Sequence, residues 1–121
     1  MINIIIFGVA IAAYFVFKKL AEPKVDKING ETLNQMLKDK TIKRQFIDVR
    51  TQSEFKSNNI KGFRNMPLQS LSSRAKEIDK EKPVVLMCAS GHRSMQAAKI
   101  LKRLGIVTIV NLSGGLSAYR R

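Results

Sequence analysis

The chain opens on an uninterrupted apolar stretch. Residues 1–17 read MINIIIFGVAIAAYFVF, with no charged side chain and no polar face, the pattern of a helix that meets apolar surroundings on every side. Seventeen helical residues extend roughly 25 Å. That is short for a hydrocarbon core of about 30 Å, but Leu20 and Ala21 lengthen the run while Lys18 and Lys19 can snorkel outward. A cleaved leader needs a basic start and a small-x-small exit, and neither is present. The expectation is a retained, single-pass transmembrane helix over residues 1–21. Lys18, Lys19, Lys24 and Lys27 follow it and no basic side chain precedes it. The positive-inside rule therefore places a cell-membrane protein's C-terminal domain in the cytoplasm, where a lone thiol persists as a thiol.

Residues 22–27 read as a short charged linker containing Pro23, and residues 28–121 as one domain. Short apolar runs at 45–49, 83–88 and 106–111 alternate with amphipathic stretches, which predicts an α/β fold with a central, mainly parallel sheet flanked by helices. Thr51 and Glu54 have the spacing of a capping box, so a short helix starts there. Gly62 and Pro67 bracket a short strand at 63–66; a helix is expected over 70–78 and a strand buried on both faces at 84–87. Residues 94–104 place Met95, Ala98, Leu101 and Leu104 at helical spacing, and Gly105 ends that helix. Residues 107–110 make the next strand. Gly114-Gly115 then open a last short helix that finishes in Arg120-Arg121, basic residues suited to a helix C-terminus.

Composition narrows the chemistry. A 121-residue chain has room for one core. One cysteine cannot form an internal disulfide, and one cysteine with one histidine cannot build a structural zinc site, so any thiol chemistry involves other molecules; no metal and no cofactor are expected. A net charge of +13 attracts anions of several kinds. It is spread along the chain with few aromatics interleaved, so no nucleic-acid partner is expected. An anionic cytoplasmic leaflet accounts for much of the surplus.

The informative segment is the buried strand 84–87 running into Cys88-Ala89-Ser90-Gly91-His92-Arg93-Ser94. Ligands of open parallel sheets bind beyond the carboxyl ends of strands, where Cys88 stands. A loop curling around Cys88 would aim the amides of Ala89 to Ser94 inward as an anion nest, backed by a helix N-terminus, and so favour the thiolate. Gly91 permits the curl, Ser94 can donate to the sulfur or cap the helix, and Arg93 supplies a fork for an oxyanion. The alternative for Cys88 is a buried core thiol. His92 can assist protonation or substrate binding, or be an exposed loop residue with neither role.

Ile47-Asp48-Val49-Arg50, Glu54-Phe55, Ile60-Lys61-Gly62, Asn65-Met66-Pro67, the Cys88 loop and Gly114-Gly115 together resemble the rhodanese family, in particular its single-domain, membrane-anchored bacterial members. The resemblance implies a sulfurtransferase: the cysteine takes sulfane sulfur from a small anionic donor such as thiosulfate, becomes a persulfide, and passes the sulfur to a thiol or cyanide. It also implies that Asp48, Arg50 and Glu54 are scaffold, a strand-end carboxylate and an Arg–Glu pair holding loops near the site. Asn58-Asn59 and Tyr119 depart from the family's Gly-His and Trp at those places.

Cysteine phosphatases, of related fold, place arginine six residues after the nucleophile. Here Arg93 is five residues after Cys88 and Ser94 is the sixth, a tighter cradle that suits a sulfur atom better than a phosphoryl group. Two other readings stay open: a membrane-tethered binding or persulfide-carrier module without turnover, and a phosphatase or arsenate-reductase-like enzyme.

Overall fold

Val84-Val85-Leu86-Met87 is apolar at every position, as a strand covered on both faces must be, and it forms the centre of the sheet. The computed structural model describes residues 2–21 and 25–119, without the side chains of residues 18–21. Linker residues 22–24, the Arg120-Arg121 pair and the snorkelling of Lys18 and Lys19 lie outside the described residues. Five parallel strands run in the order β1-β5-β4-β2-β3. They are β1 (Asp26–Ile28), β2 (Gln45–Asp48), β3 (Arg64–Asn65), β4 (Val84–Met87) and β5 (Ile109–Leu112).

The two-residue period of β4 divides the core. Val84, Leu86 and Cys88 share one cluster with Ala97, Ala98 and Leu101 of α5 (His92–Arg103) and with Leu71 of α4 (Leu71–Arg74). Val85 and Met87 share the other with Leu33 of α2 (Gly30–Lys38) and Leu112 of β5. Phe55 of α3 (Gln52–Ser57) and Leu116 of α6 (Gly115–Ala118) pack against this second cluster. Cys88 follows β4 on the α5 side. β2 leads on to β3 and its neighbour β4 leads the opposite way to β5, so Cys88 stands at the switch point at which open parallel sheets form sites.

Several expectations are corrected. Strand β1 begins at Asp26, inside the segment read as linker, and pairs with β5 through Lys27↔Asn111 and its neighbours. β5 starts two residues later than predicted, because the Ile106 amide closes the turn out of α5 onto the Leu101 carbonyl at 3.1 Å. Ladder bonding then opens with the Val84 amide on the Thr108 carbonyl at 2.9 Å. The helix expected over 70–78 is α4 between two 3-10 turns, Leu68–Ser70 and Ala75–Glu77. There the Ser70 and Ser73 hydroxyls donate to the Pro67 and Ser70 carbonyls, in competition with regular helix bonding. α5 starts at His92 with Gly91 as its N-cap, so Ser94 is not the cap. Its buried face is Ser94, Ala97, Ala98 and Leu101, while Leu104 is exposed.

The N-terminal segment is helix α1 (Ile2–Ala21). Its large apolar side chains from Ile2 to Phe17 stand exposed. Among the described residues no helix is long and apolar enough to cross a membrane, which corrects the expected transmembrane span. In the sequence the uncharged run of this helix ends at Phe17, where Lys18 and Lys19 follow, and from Ile2 that is a rise of roughly 24 Å against a core of about 30 Å.

Candidate active site

The segment after β4 curls as its glycine dictates. Gly91 has φ +104°, a left-handed conformation that side-chain-bearing residues rarely adopt, and this turns the chain from strand into α5. The Gly91 amide donates to Cys88 Sγ at 2.9 Å, and the Ser94 hydroxyl lies 3.3 Å from the same sulfur. Cys88 itself has no exposed surface. Burial pushes its thiol pKa up, but the Ser94 hydroxyl and the amides of Ser94, Gly91 and Ser90 outweigh that and hold it below the ordinary value. Of the six amides expected in the nest, those of Ser94, Gly91 and Ser90 act on the sulfur. The result is a buried thiol that belongs to the core cluster with Ala97, Ala98 and Leu101 and is also polarised by the loop.

Ser94 is tied to a residue the sequence reading passed over. Its hydroxyl also reaches the Gly91 carbonyl at 3.1 Å and the Oδ1 of Asn111 in β5, with Asn111 2% exposed. The available signal was a polar residue at a buried position within Ile-Val-Asn-Leu, since buried polar groups occur where they have partners.

The charged residues pair differently from expectation. Asp48 and Arg50, 0% and 4% exposed, form a buried pair: Asp48 accepts from the Arg50 amide at 2.9 Å, from Nε at 3.0 and 3.1 Å, and from Nη2 at 2.8 Å. Arg50 meets Glu54 only at its backbone carbonyl, at 3.3 Å, and also donates to the Asn58 carbonyl, so it ties down the end of α3. The Glu54 carboxylate instead takes both arms of Arg93, at 2.6 and 2.9 Å. Arg93 is therefore neutralised in place, where a free oxyanion fork was expected.

Glu54 also closes the predicted capping box. It receives the Thr51 amide at 3.1 Å, while its own amide donates to the Thr51 hydroxyl at 3.2 Å. The Arg93 guanidinium and the Thr51 amide push its pKa down to about 2. A folded value below the unfolded one of about 4.3 gives stability that is complete above that value and lost as pH falls toward 2. Denaturant midpoints at pH 6 and pH 3 should accordingly differ more in the parent than in Glu54→Gln. Equal differences would show that the Arg93–Glu54 pair contributes nothing.

α6 holds the base of the loop. The amides of Leu116 and Ser117 donate to the carbonyls of Cys88 and Ala89 at 2.8 and 3.1 Å. A Cβ on Gly115 would stand 2.3 Å from the Cys88 carbonyl oxygen and 2.7 Å from the Ala89 backbone, so only glycine allows this approach. That explains the second glycine of the Gly114-Gly115 pair. On the outer side of the loop, exposed His92 and Ser90 line a cleft together with Lys27 and Asn111.

Residues 29–121 match the Rhodanese-like domain family. A sulfurtransferase of Allochromatium vinosum is 36% identical over 97 residues, covering 80% of this chain and 90% of that protein. The uncharacterized protein YqhL of Bacillus subtilis is 44% identical over 77 residues, 64% of this chain. The match spans 61% of YqhL, less than two thirds of its length. Among solved structures, a rhodanese-like domain protein from Staphylococcus aureus superposes with a TM-score of 0.71 at 28% identity, over 79% of this chain and 92% of that one.

Proposed function

The chain belongs to the rhodanese-like domain family, and from that premise we propose that it is a sulfurtransferase that moves sulfane sulfur from thiosulfate to cyanide or a thiol through a persulfide on Cys88. The observation that carries this reading is the sulfur itself, held by the Gly91 amide and the Ser94 hydroxyl at the carboxyl end of β4. The Cys88 thiolate attacks the outer sulfur of thiosulfate; a new S–S bond forms as the old one breaks, and the electron pair leaves with sulfite. Cyanide or an acceptor thiolate then attacks the terminal sulfur, and the pair of the broken bond returns to Cys88 as thiolate. The chain has one cysteine, so the acceptor is another molecule. Because Cys88 has no exposed surface, a path to the sulfur must open for either attack. Intact-protein mass spectrometry after incubation with thiosulfate should show a gain of about 32 Da. No gain would end the proposal.

The same burial favours one second reading, a persulfide carrier that exchanges its sulfur slowly. Thiocyanate formation over many cycles per chain supports the enzyme; a single stoichiometric release supports the carrier.

We also infer that α1 attaches the domain to a membrane, with the domain on the cytoplasmic side. Support comes from apolar side chains exposed all round the helix, among them Ile4 at 77% and Phe17 at 71%, and from the lysines that follow them in sequence, which are drawn to the anionic cytoplasmic leaflet. Flotation with anionic phospholipid vesicles should carry the full chain and leave behind a fragment lacking residues 1–21. Co-flotation of both would assign the attachment to the basic domain.

A further inference from the structure

Arg93 was the cation expected to receive the anionic end of a donor, and Glu54 occupies both of its arms. A different cation faces the loop. Lys27 pairs in register with Asn111 across the parallel β1–β5 ladder, and on that face it borders a cleft of about 170 Å³ closed by the segment from Ser90 to His92 and by Ser113. No acidic side chain lines this cleft, and among the described residues Lys27 has no ion-pair partner. One ammonium, two serine hydroxyls and an imidazole around a volume this small make an environment for a compact oxyanion.

Two links join the cleft to the sulfur. Gly91 lines the cleft, and its amide donates to Cys88 Sγ at 2.9 Å. Asn111 lines it too and accepts from Ser94, whose hydroxyl lies 3.3 Å from the sulfur. The cleft and the sulfur thus share Gly91 as a common wall.

We propose that this cleft is the oxyanion subsite of the reaction, in which Lys27 holds the –SO3 end of thiosulfate and then the departing sulfite. The inference rests on the sulfurtransferase reading, and its probe does not. In the full chain carrying Cys88→Ser, where no sulfur can be transferred, sulfite binding is measured by calorimetry with Lys27 intact, as Lys27→Gln and as Lys27→Arg. The glutamine change is expected to weaken sulfite about tenfold, the loss of one charge-assisted hydrogen bond, and arginine to restore most of it. With Cys88 present, Lys27→Gln should lower kcat/KM for thiosulfate by a similar factor and leave kcat/KM for cyanide, which reports the second half-reaction, nearly unchanged.

Unaltered sulfite affinity in Lys27→Gln, an equal loss in Lys27→Arg, or no sulfite binding with Lys27 intact overturns the subsite. Persulfide formation in the parent chain is scored separately, so the subsite can fail while sulfur transfer stands, and the reverse.

Discussion

Cys88→Ser is expected to abolish the gain of about 32 Da with thiosulfate and all thiocyanate formation, because a serine oxygen neither ionises near neutral pH nor accepts a sulfane sulfur. The fold should survive. Oxygen in place of sulfur keeps a hydrogen-bonding atom beside the Gly91 amide and the Ser94 hydroxyl, so the stability cost should stay within about 2 kcal/mol, the ordinary range for a point substitution. Unchanged circular dichroism together with complete loss of adduct is the expected pair of results; an adduct that persists on the serine chain would place the sulfur elsewhere. In the parent, the amides of Ser94, Gly91 and Ser90 and the Ser94 hydroxyl lower the thiol pKa against the effect of burial. The pH midpoint of alkylation should therefore lie below that of a free thiol, and Ser94→Ala should move it upward.

The largest stability change is expected from Arg50→Leu. Asp48 is wholly buried, and of its four contacts with Arg50 three are to the guanidinium. Removing that group leaves a buried carboxylate without its guanidinium partner, a loss of about 3–5 kcal/mol for a buried pair broken on one side. The double variant Asp48→Leu, Arg50→Leu removes the stranded charge as well and should be less destabilised than Arg50→Leu alone, as read by urea unfolding. A single-variant cost below about 1 kcal/mol would show the pair to be solvated, like a surface ion pair. The damage should also reach the loop. Arg50 anchors the end of α3 through the carbonyls of Glu54 and Asn58, and Glu54 is what holds Arg93.

Features legible in the sequence were those decided by neighbours along the chain. The apolar run of β4, the Thr51–Glu54 capping box and the left-handed glycine at 91 each depend on a few consecutive residues, and each appears where it was expected. Partner choice among charged residues was not legible. Glu54 had arginines at positions 50 and 93 to choose from, and the packing that brings α3 beside the Cys88 loop awards it the distant one. Lys27 looked like one more linker lysine because three residues of edge strand leave almost no periodic signal. Its place became visible only with the register of β1 on β5. The apolar helix was legible as a helix, and the span was not, since its uncharged run stops at Lys18 and falls short of a bilayer core.

The strand order has a consequence for how the protein is made. β1 leaves the ribosome before any other strand, yet its neighbour is β5, the last: Asp26 must wait for Val110. Parallel pairing across so long a loop is slow to form. During synthesis the first-made edge stays unpaired, and the wall that Lys27 contributes is missing until residues 109–112 have emerged. A nascent chain arrested before that point could carry Cys88 already at the end of β4 and still lack its neighbour from the opposite end of the sequence.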